Sequence, residues 1–359
     1  MSAYILAARR TAVMPRGGGF ARLHPHDLAA PVIRAVLADA GLQPDDVDEQ
    51  ILSNALGGGG NPARLAALAA GLPERVAGLS IDRQCAGGLD AIRLGAAMVA
   101  SGQARVVIAG GAESYSRRPL RLRTDPDGGE PVAYDAPLFT PWPDRNPDMA
   151  QAASDLAERL GITAQRQAEW AVESHAKAMA ADLSDEIVAL PEGASDAFTR
   201  ALTLQAALRA PKVAENITKA TMAVAADAAA FVVISAKPTP GAAIIRATAT
   251  LGADPMEPGL SPLPAIRAVL AQAKLTAANF SHVEMMEAFA AQALACIQQA
   301  GFDPNMVNRK GGAVARGHPI GASGAILAVR LFHDLETAPG LAAIAAAGGI
   351  GSALILERV

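Results

Sequence analysis

The stretch IDRQCAGGLDAI, residues 81–92, contains Cys85, one of only two cysteines in the chain. An apolar segment before Cys85 and the helical pattern LDAIRLGAAMVASG (89–102) after it predict a strand, a sharp Gly-rich turn and a helix. The run ARVVIAGGAES (104–114) predicts a further buried strand. This order is typical of a doubly wound α/β unit with Cys85 at the turn.

Residues 240–359 repeat this order of elements. The patterns predict a strand at 242–252, helices at 261–275 and 284–301, a Gly-rich turn leading into a helix within 311–336, and two adjacent strands within 341–359. Two apolar runs that end in a Gly pair, ARVVIAGGAES and LAAIAAAGGIGSA, occupy matching places in the two sections. The order therefore predicts two similar halves.

The remaining segments predict how the halves are arranged. Strands are expected at 2–8, 49–56 and 227–236, and helices at 27–42, 62–72, 149–160 and 164–181. Residues 117–219 are rich in Pro, Asp and Gly at their start, so we expect an insertion that covers a site. The predicted domains are 1–116 with 220–238, the insertion 117–219, and 239–359.

Composition limits the possible partners and the compartment. The 359 residues include 51% hydrophobic and 4% aromatic residues, with a formal net charge of −4. This balance argues against a general nucleic-acid or anionic-membrane surface. The N-terminal run MSAYILAARRTAV fits neither a secretory signal nor a membrane span. Two widely spaced cysteines provide no metal-ligand spacing and no disulfide framework, so we expect a cytoplasmic protein.

The position of Cys85 favours a reactive thiol over a buried core cysteine. At a strand-to-helix turn, helix N–H groups and the helix dipole would lower the thiol pKa. The small residues that follow leave room for a substrate. Cys296 lies within an apolar helical pattern, and we interpret it as a core residue.

His318 is the histidine best placed to assist a thiol. In RGHPIGASG, Gly317 and Pro319 restrict the backbone on either side of it, which suits acid–base or oxyanion work. A histidine that only stabilises the turn remains the alternative. The loop lacks the Lys of a phosphate-binding P-loop, and the other Gly-rich runs lack a full dinucleotide fingerprint.

Five motifs together carry a family resemblance. DRQCAGGLDAI, VVIAGGAES, EMMEAFAAQALA, GGAVARGHPIGASGA and LAAIAAAGGIGSALILER occur in the order found in thiolases, and the resemblance runs nearly end to end. The resemblance implies a five-layered α/β/α/β/α fold, built from two βαβαβαββ halves with an inserted loop domain that covers coenzyme A. It also implies a homo-oligomer, either a dimer or a dimer of dimers.

The resemblance assigns roles to the two motif residues. Cys85 would be the nucleophile that takes the acyl group, and His318 would activate it and help to hold the thioester oxygen. The backbone N–H of Cys85 and one near Gly349 would form a second oxyanion hole. Acyl-CoA would be the substrate, with no permanently bound cofactor and no metal.

Two positions that the family uses in catalysis differ here. Ala345 stands where thiolases carry a second cysteine, which moves the α-proton in Claisen condensation, and alanine cannot do this. Met286 stands where the family has the Asn that holds an oxyanion-hole water, and a thioether cannot donate a hydrogen bond. Glu287 of the same motif is kept, and Phe289 follows it. All four are expected at the substrate site.

The coenzyme A region differs as well. Ala223 replaces the Ser that lies against the pantetheine, and Asp148 precedes Met149 where the family has a His. Met149 and Ala223 are therefore expected to line a more apolar cleft.

Besides an ordinary acetyl-CoA C-acetyltransferase of this family with an unaltered mechanism, these features leave two hypotheses open. The first is an acyltransferase that carries an acyl group on Cys85 and passes it to an acceptor, without ordinary Claisen condensation or thiolysis. The second is a non-catalytic or attenuated subunit that binds acyl-CoA or supports a partner enzyme.

Overall fold

A computed structural model describes residues 1–57 and 59–359. The strands are β1 (Tyr4–Thr11), β2 (Met14–Pro15), β3 (Glu49–Ser53), β4 (Leu79–Ile81), β5 (Val106–Ser114), β6 (Arg121–Arg123), β7 (Val132–Tyr134), β8 (Ile187–Val188), β9 (Lys212–Ala214), β10 (Ile217–Thr218), β11 (Ala226–Ser235), β12 (Ala243–Gly252), β13 (His282–Met285), β14 (Gly340–Ala346) and β15 (Ile350–Arg358). The helices are α1 (Pro25–Asp39), α2 (Pro62–Ala70), α3 (Gly87–Ala100), α4 (Met149–Arg159), α5 (Ala164–Ala180), α6 (Leu204–Arg209), α7 (Pro262–Ala273), α8 (Ala290–Ala300), α9 (Ala313–Arg316) and α10 (Ile320–Asp334).

The main strands form one continuous hydrogen-bonded path in the order β13-β14-β15-β12-β1-β11-β5-β3-β4. The path has two halves that meet where β1 pairs with β12, through Tyr4 opposite Ile244 and Ile5 opposite Ala243. Because only these positions join the halves, the two can face each other across a shared layer of helices. One half holds β1, β11, β5, β3 and β4, and the other holds β12, β15, β14 and β13.

The helices form three layers around the two half-sheets. Helices α1 and α2 pack on the outer face of the first half-sheet, and α7 and α8 pack on the outer face of the second. Helices α3 and α10 lie between the half-sheets, in a core to which both contribute. The five-layered α/β/α/β/α arrangement predicted from the sequence is therefore confirmed.

The two central helices cross with their backbones in contact. A Cβ added at Gly88 of α3 would lie 2.4 Å from the backbone nitrogen of Ala325, and one added at Gly324 of α10 would lie 2.5 Å from that of Leu89. No side chain fits at these distances, so glycine is required on both helices. The crossing holds the start of α3 beside the start of α10, and these are the segments that carry Cys85 and His318.

The segment 117–219, which was predicted to form an insertion, contributes a hairpin (β6 and β7), helices α4 to α6, and the short pair β9 and β10. It is tied to the central sheet, because β8 pairs in parallel with β1. A buried ion pair adds to this attachment: Arg10 on β1 bonds Glu186 and Asp196, each at 2.7 Å.

One predicted element is wrong. The helix expected over 284–301 begins only at Ala290, and its first two residues belong to strand β13. Strand β13 pairs in parallel with β14, and all four of its residues are buried, so tertiary pairing overrides the local helical pattern. Among the described residues, no helix is both long and apolar enough to cross a membrane.

Candidate active site

Cys85 lies in the turn between β4 and α3. Gln84 adopts a left-handed backbone with φ of +49°, and its N–H donates to Asp82 Oδ1 at 2.8 Å. Non-glycine residues rarely adopt this conformation, and it recurs at functional turns. The half-buried thiol that follows lines a cavity of about 480 Å³.

His318 lies at the start of α10, opposite the thiol. Its backbone N–H donates to the carbonyl of Val224 at 2.7 Å, which fixes the loop against the chain before β11. Its Nε2 lies 3.1 Å from Cys85 Sγ, and its Nδ1 lies 2.6 Å from Ser323 Oγ. The structure therefore brings the two predicted catalytic residues into direct contact.

Ser323 sets the tautomer of this histidine. The serine hydroxyl has one proton, which it donates to the carbonyl of Pro319 at 3.0 Å. It can then only accept from His318, so the imidazole proton lies on Nδ1. This leaves Nε2 as an unprotonated acceptor for the proton of the Cys85 thiol.

The pair is uncharged at neutral pH. Burial raises the pKa of the Cys85 thiol to about 12, and backbone N–H groups of Ala347 and of Cys85 itself oppose this only in part. Burial also lowers the pKa of His318 to about 4. The expectation that the start of α3 would lower the thiol pKa is wrong, because desolvation outweighs the helix terminus.

Four further predicted positions lie on the cavity wall. Met149 is contributed by α4, Ala223 precedes β11, Phe289 precedes α8, and Ala345 lies on β14. Met149 and Phe289 make this part of the wall apolar, as expected for a thioester substrate. Ala345 offers no titratable group to the cavity.

Met286 and Glu287 do not line the cavity. Met286 is 1% exposed and packs in the core between the half-sheets, and its N–H donates to Ala343 O at 2.9 Å. The prediction that Met286 contacts substrate is therefore wrong, because the side chain fills this core.

Glu287 is fully buried, and its carboxylate is hydrogen-bonded only to groups of the protein among the described residues. Its carboxylate accepts from Trp170 Nε1 at 3.1 Å, Ser174 Oγ at 2.9 Å, Asn308 Nδ2 at 2.7 Å and the Val314 N–H at 3.1 Å. Burial raises its pKa, and the hydrogen bonds oppose this rise. The prediction that Glu287 binds substrate is wrong, because its partners join α5 to the loop before α10.

Gly349 is also outside the cavity wall. Its backbone has φ of +72°, and its carbonyl accepts from the Ala253 N–H at 2.6 Å. The N–H that reaches the Cys85 thiol is that of Ala347, two residues earlier. An oxyanion donor near Gly349 therefore stays a prediction, and Ala347 in the same turn offers an N–H beside the thiol.

Cys296 is a core residue, as predicted. It is 0% exposed, its thiol donates to Gly259 O at 3.1 Å, and burial raises its pKa to about 12. It therefore provides an internal reference thiol that a reagent in the cavity does not reach.

Sequence reasoning missed Tyr115, Arg118 and Arg121, which all line the cavity. Tyr115 directly follows the end of β5, and the arginines lie within RRPLRLRT at the start of the insertion. Their position after the carboxyl end of a central strand was the available signal, because this edge is where α/β proteins place their sites.

His282, Glu284 and Asp334 form a cluster with one possible metal-ligand atom each within 4.8 Å of one another. Cationic side chains already occupy its surroundings: Arg330 lies 3.0 Å and Lys310 2.6 Å from carboxylate oxygens of Asp334. The cluster is therefore a buried ion-pair network, and its charges are compensated by protein groups.

In this site a thiol is hydrogen-bonded to an imidazole, and backbone N–H donors lie beside it in an apolar cavity. This arrangement is typical of enzymes that carry an acyl group on cysteine. Comparisons with known proteins are specific. Residues 3–237 match the family model "Thiolase, N-terminal domain", and residues 239–358 match "Thiolase, C-terminal domain". The chain belongs to the thiolase family, and it is an acyltransferase of the thiolase class.

Individual relatives agree over their full length. An acetyl-CoA acetyltransferase of Cupriavidus necator is 38% identical, covering 99% of this chain and 98% of the relative. The crystal structure of the Bacillus anthracis acetyl-CoA acetyltransferase superposes with a TM-score of 0.91 at 32% identity, covering 100% of this chain and 99% of that one. The crystal structure of human mitochondrial 3-ketoacyl-CoA thiolase in complex with CoA superposes with a TM-score of 0.92 at 28% identity, covering 100% of this chain and 98% of that one.

Proposed function

We propose that this protein takes an acyl group from acyl-CoA onto Cys85 and passes it to an acceptor, without ordinary Claisen condensation or thiolysis. The observation that carries the proposal is the 3.1 Å contact between Cys85 Sγ and His318 Nε2 in a cavity where Ala345 offers no second thiol. Membership of the thiolase family supports a CoA thioester as the donor.

The acylation step follows from the protonation states of the pair. As the Cys85 sulfur attacks the thioester carbonyl, its proton moves to His318 Nε2, and the bond from the carbonyl carbon to the CoA sulfur breaks. The imidazolium then returns the proton to the departing CoA thiolate. Backbone N–H groups of Cys85 and Ala347 are the candidate donors to the oxyanion, and each such donor contributes about 3 kcal/mol to the barrier reduction.

Ala345 and Met286 separate this proposal from ordinary thiolase chemistry. Ordinary Claisen condensation requires removal of a proton from carbon, and the side chain of Ala345 cannot accept one, whereas decarboxylation of a malonyl-type donor needs no such base. Met286 cannot replace an amide that holds a water molecule, because its side chain packs in the core and a thioether has no donor. Acylation and release remain possible because neither step breaks a carbon–hydrogen bond.

Intact-mass spectrometry tests the proposal directly. Incubation with short and medium acyl-CoAs should produce an acyl adduct that is absent in Cys85→Ser and retained in Cys296→Ser. No adduct with any acyl-CoA, at substrate concentrations that saturate binding, would refute it. Binding without an adduct would instead favour a non-catalytic or attenuated subunit, which the residues at 286 and 345 also favour.

We further propose a homo-oligomer in the cytoplasm, where a nucleophilic cysteine stays reduced. Support for a second copy comes from edge strand β4 and the neighbouring helix α2, where Leu79, Leu65 and Leu68 are 42%, 53% and 45% exposed. An unpaired strand edge next to exposed leucines suits a strand-to-strand interface. Light scattering on Leu65→Glu/Leu68→Glu should show loss of the dimer, and a wild-type monomer would contradict the proposal.

A further inference from the structure

Three arginines, Arg16, Arg118 and Arg121, line the same cavity as Cys85. The only acidic side chain on the described part of the wall is Asp135, whose Oδ1 lies 2.6 Å from Arg118 Nη2. Within residues 1–57 and 59–359, Arg16 and Arg121 have no carboxylate partner. The wall therefore carries more cationic than anionic side chains, although Arg16 acts electrostatically on the nearby Asp227 and Arg121 donates to the carbonyl of Ala55 at 3.0 Å.

Arg118 is the most restrained of the three. Its guanidinium lies over the ring of Tyr115, 5.7 Å from the ring centroid, and its side chain is 20% exposed. Of its five N–H donors, only one has a hydrogen-bond partner in the described part of the chain. Asp135 is 86% exposed, so a better placed carboxylate can displace it with little loss.

Tyr115 connects this arginine to the reactive thiol. Burial is the main cause that raises the pKa of Tyr115, and the neighbouring Arg118 lowers it. Cys85, Tyr115 and Arg118 line one cavity. An acyl group on Cys85 therefore shares this cavity with a cation that has unused donors.

We propose that Arg118 binds a carboxylate at the far end of the acyl group carried on Cys85, so that the preferred substrates are CoA thioesters of short dicarboxylic acids. This inference rests on the proposed acylation of Cys85. Arg16 and Arg121 add positive charge to the same wall and favour the same substrate class. Planar guanidinium groups suit carboxylates because two N–H donors match the two oxygens.

Matched acyl chains test the subsite. Acylation rates of Cys85 are measured by intact mass with glutaryl-CoA and with valeryl-CoA, which have the same number of carbons and differ in the terminal carboxylate. Hydrogen bonds to charged groups favour glutaryl by about tenfold to hundredfold. In Arg118→Met this ratio should fall towards one. In Arg123→Met the ratio should stay unchanged, because Arg123 lies in β6, shortly after Arg118 in the chain, but outside the cavity wall.

Coenzyme A phosphates are the other anion that these arginines could bind, so the experiment is repeated with glutaryl and valeryl thioesters of N-acetylcysteamine, which have no phosphate. A glutaryl preference that persists there, and is lost in Arg118→Met, supports the acyl subsite. The proposal is overturned if glutaryl and valeryl thioesters of N-acetylcysteamine acylate Cys85 at equal rates and Arg118→Met slows both CoA substrates equally. Arg118 would then bind the phosphates of coenzyme A.

Failure of the subsite and failure of the acylation chemistry give different results. Valeryl and glutaryl adducts that form on Cys85 at equal rates overturn the subsite alone. If no adduct forms at all, the proposed function fails, and calorimetry on Cys85→Ser still tests the subsite. In that calorimetric experiment, tighter binding of glutaryl-CoA than of valeryl-CoA supports the subsite, and equal binding of the two overturns it.

Discussion

Replacement of His318 by Asn should change both the rate of Cys85 acylation and its dependence on pH. With a pKa of about 12, the thiol is ionised in about one molecule in 10⁵ at pH 7, against about three in a hundred for an ordinary cysteine. Acylation through the free thiolate is therefore negligible, and the thiol must lose its proton to His318 during attack. A general base typically contributes about 10²–10⁴-fold, so we expect a loss of about 10³-fold at pH 7.

The pH profiles give the sharper test. Because the pKa of His318 is lowered to about 4, its basic form is complete above about pH 5, and the wild-type rate should be flat from pH 5 to 9. In His318→Asn the rate should rise about tenfold per pH unit, because only the thiolate remains reactive. Quenched-flow intact mass measures both profiles, with exposed His24→Asn as the control. The uncharged state of Cys85 and His318 would be refuted if the wild-type acylation rate showed an apparent pKa between 6 and 9, or if the wild type and His318→Asn had parallel pH profiles.

Three further substitutions test separate parts of the structure. Ala345→Cys should raise thiolysis of a 3-oxoacyl-CoA by about 10²–10⁴-fold, and unchanged thiolysis with intact acylation would show that the thiol is not the missing group. Gly324→Ala forces two helix backbones apart and should lower the free energy of unfolding in urea by about 1–3 kcal/mol, whereas Gly252→Ala, with open space around the added carbon, should cost less. Glu287→Gln leaves donors facing an amide and should lower that free energy by about 1–3 kcal/mol, with exposed Glu158→Gln as the control; equal stability of both variants would contradict the structural role.

The contact between Cys85 and His318, 233 residues apart in the chain, could be predicted because their two motifs resemble those of thiolases. The sign of the thiol pKa shift could not. The sequence places the helix terminus beside Cys85, but the desolvation that dominates comes from distant segments such as β14 and α10. Sequence motifs therefore predict which residues meet more reliably than they predict how strongly the surrounding protein desolvates those residues.

Strand β13 and the residues after it show a second limit of sequence reasoning. Residues 284–301 are mostly apolar, which a buried strand followed by a helix shares with a single helix. The strand was missed, and with it the directions of Met286 and Glu287. One of these side chains fills the core between the half-sheets and the other joins α5 to the loop before α10. A motif can thus be identified correctly while the roles of its residues are not.

The protonation states in the cavity limit the acceptor of the proposed cycle. Tyr115 keeps its proton because its pKa is raised, and Asp135 is paired with Arg118. His318 is then the only base on the described wall that reaches Cys85, and returning the proton to CoA frees it for the second half-reaction. An alcohol, amine, thiol or water can give its own proton to His318 as it attacks the acyl-Cys85. Without a base at the position of Ala345, a carbon nucleophile has to arise by loss of CO2 from a malonyl-type donor, so this set of residues supports transfer to a heteroatom or to such a decarboxylating donor.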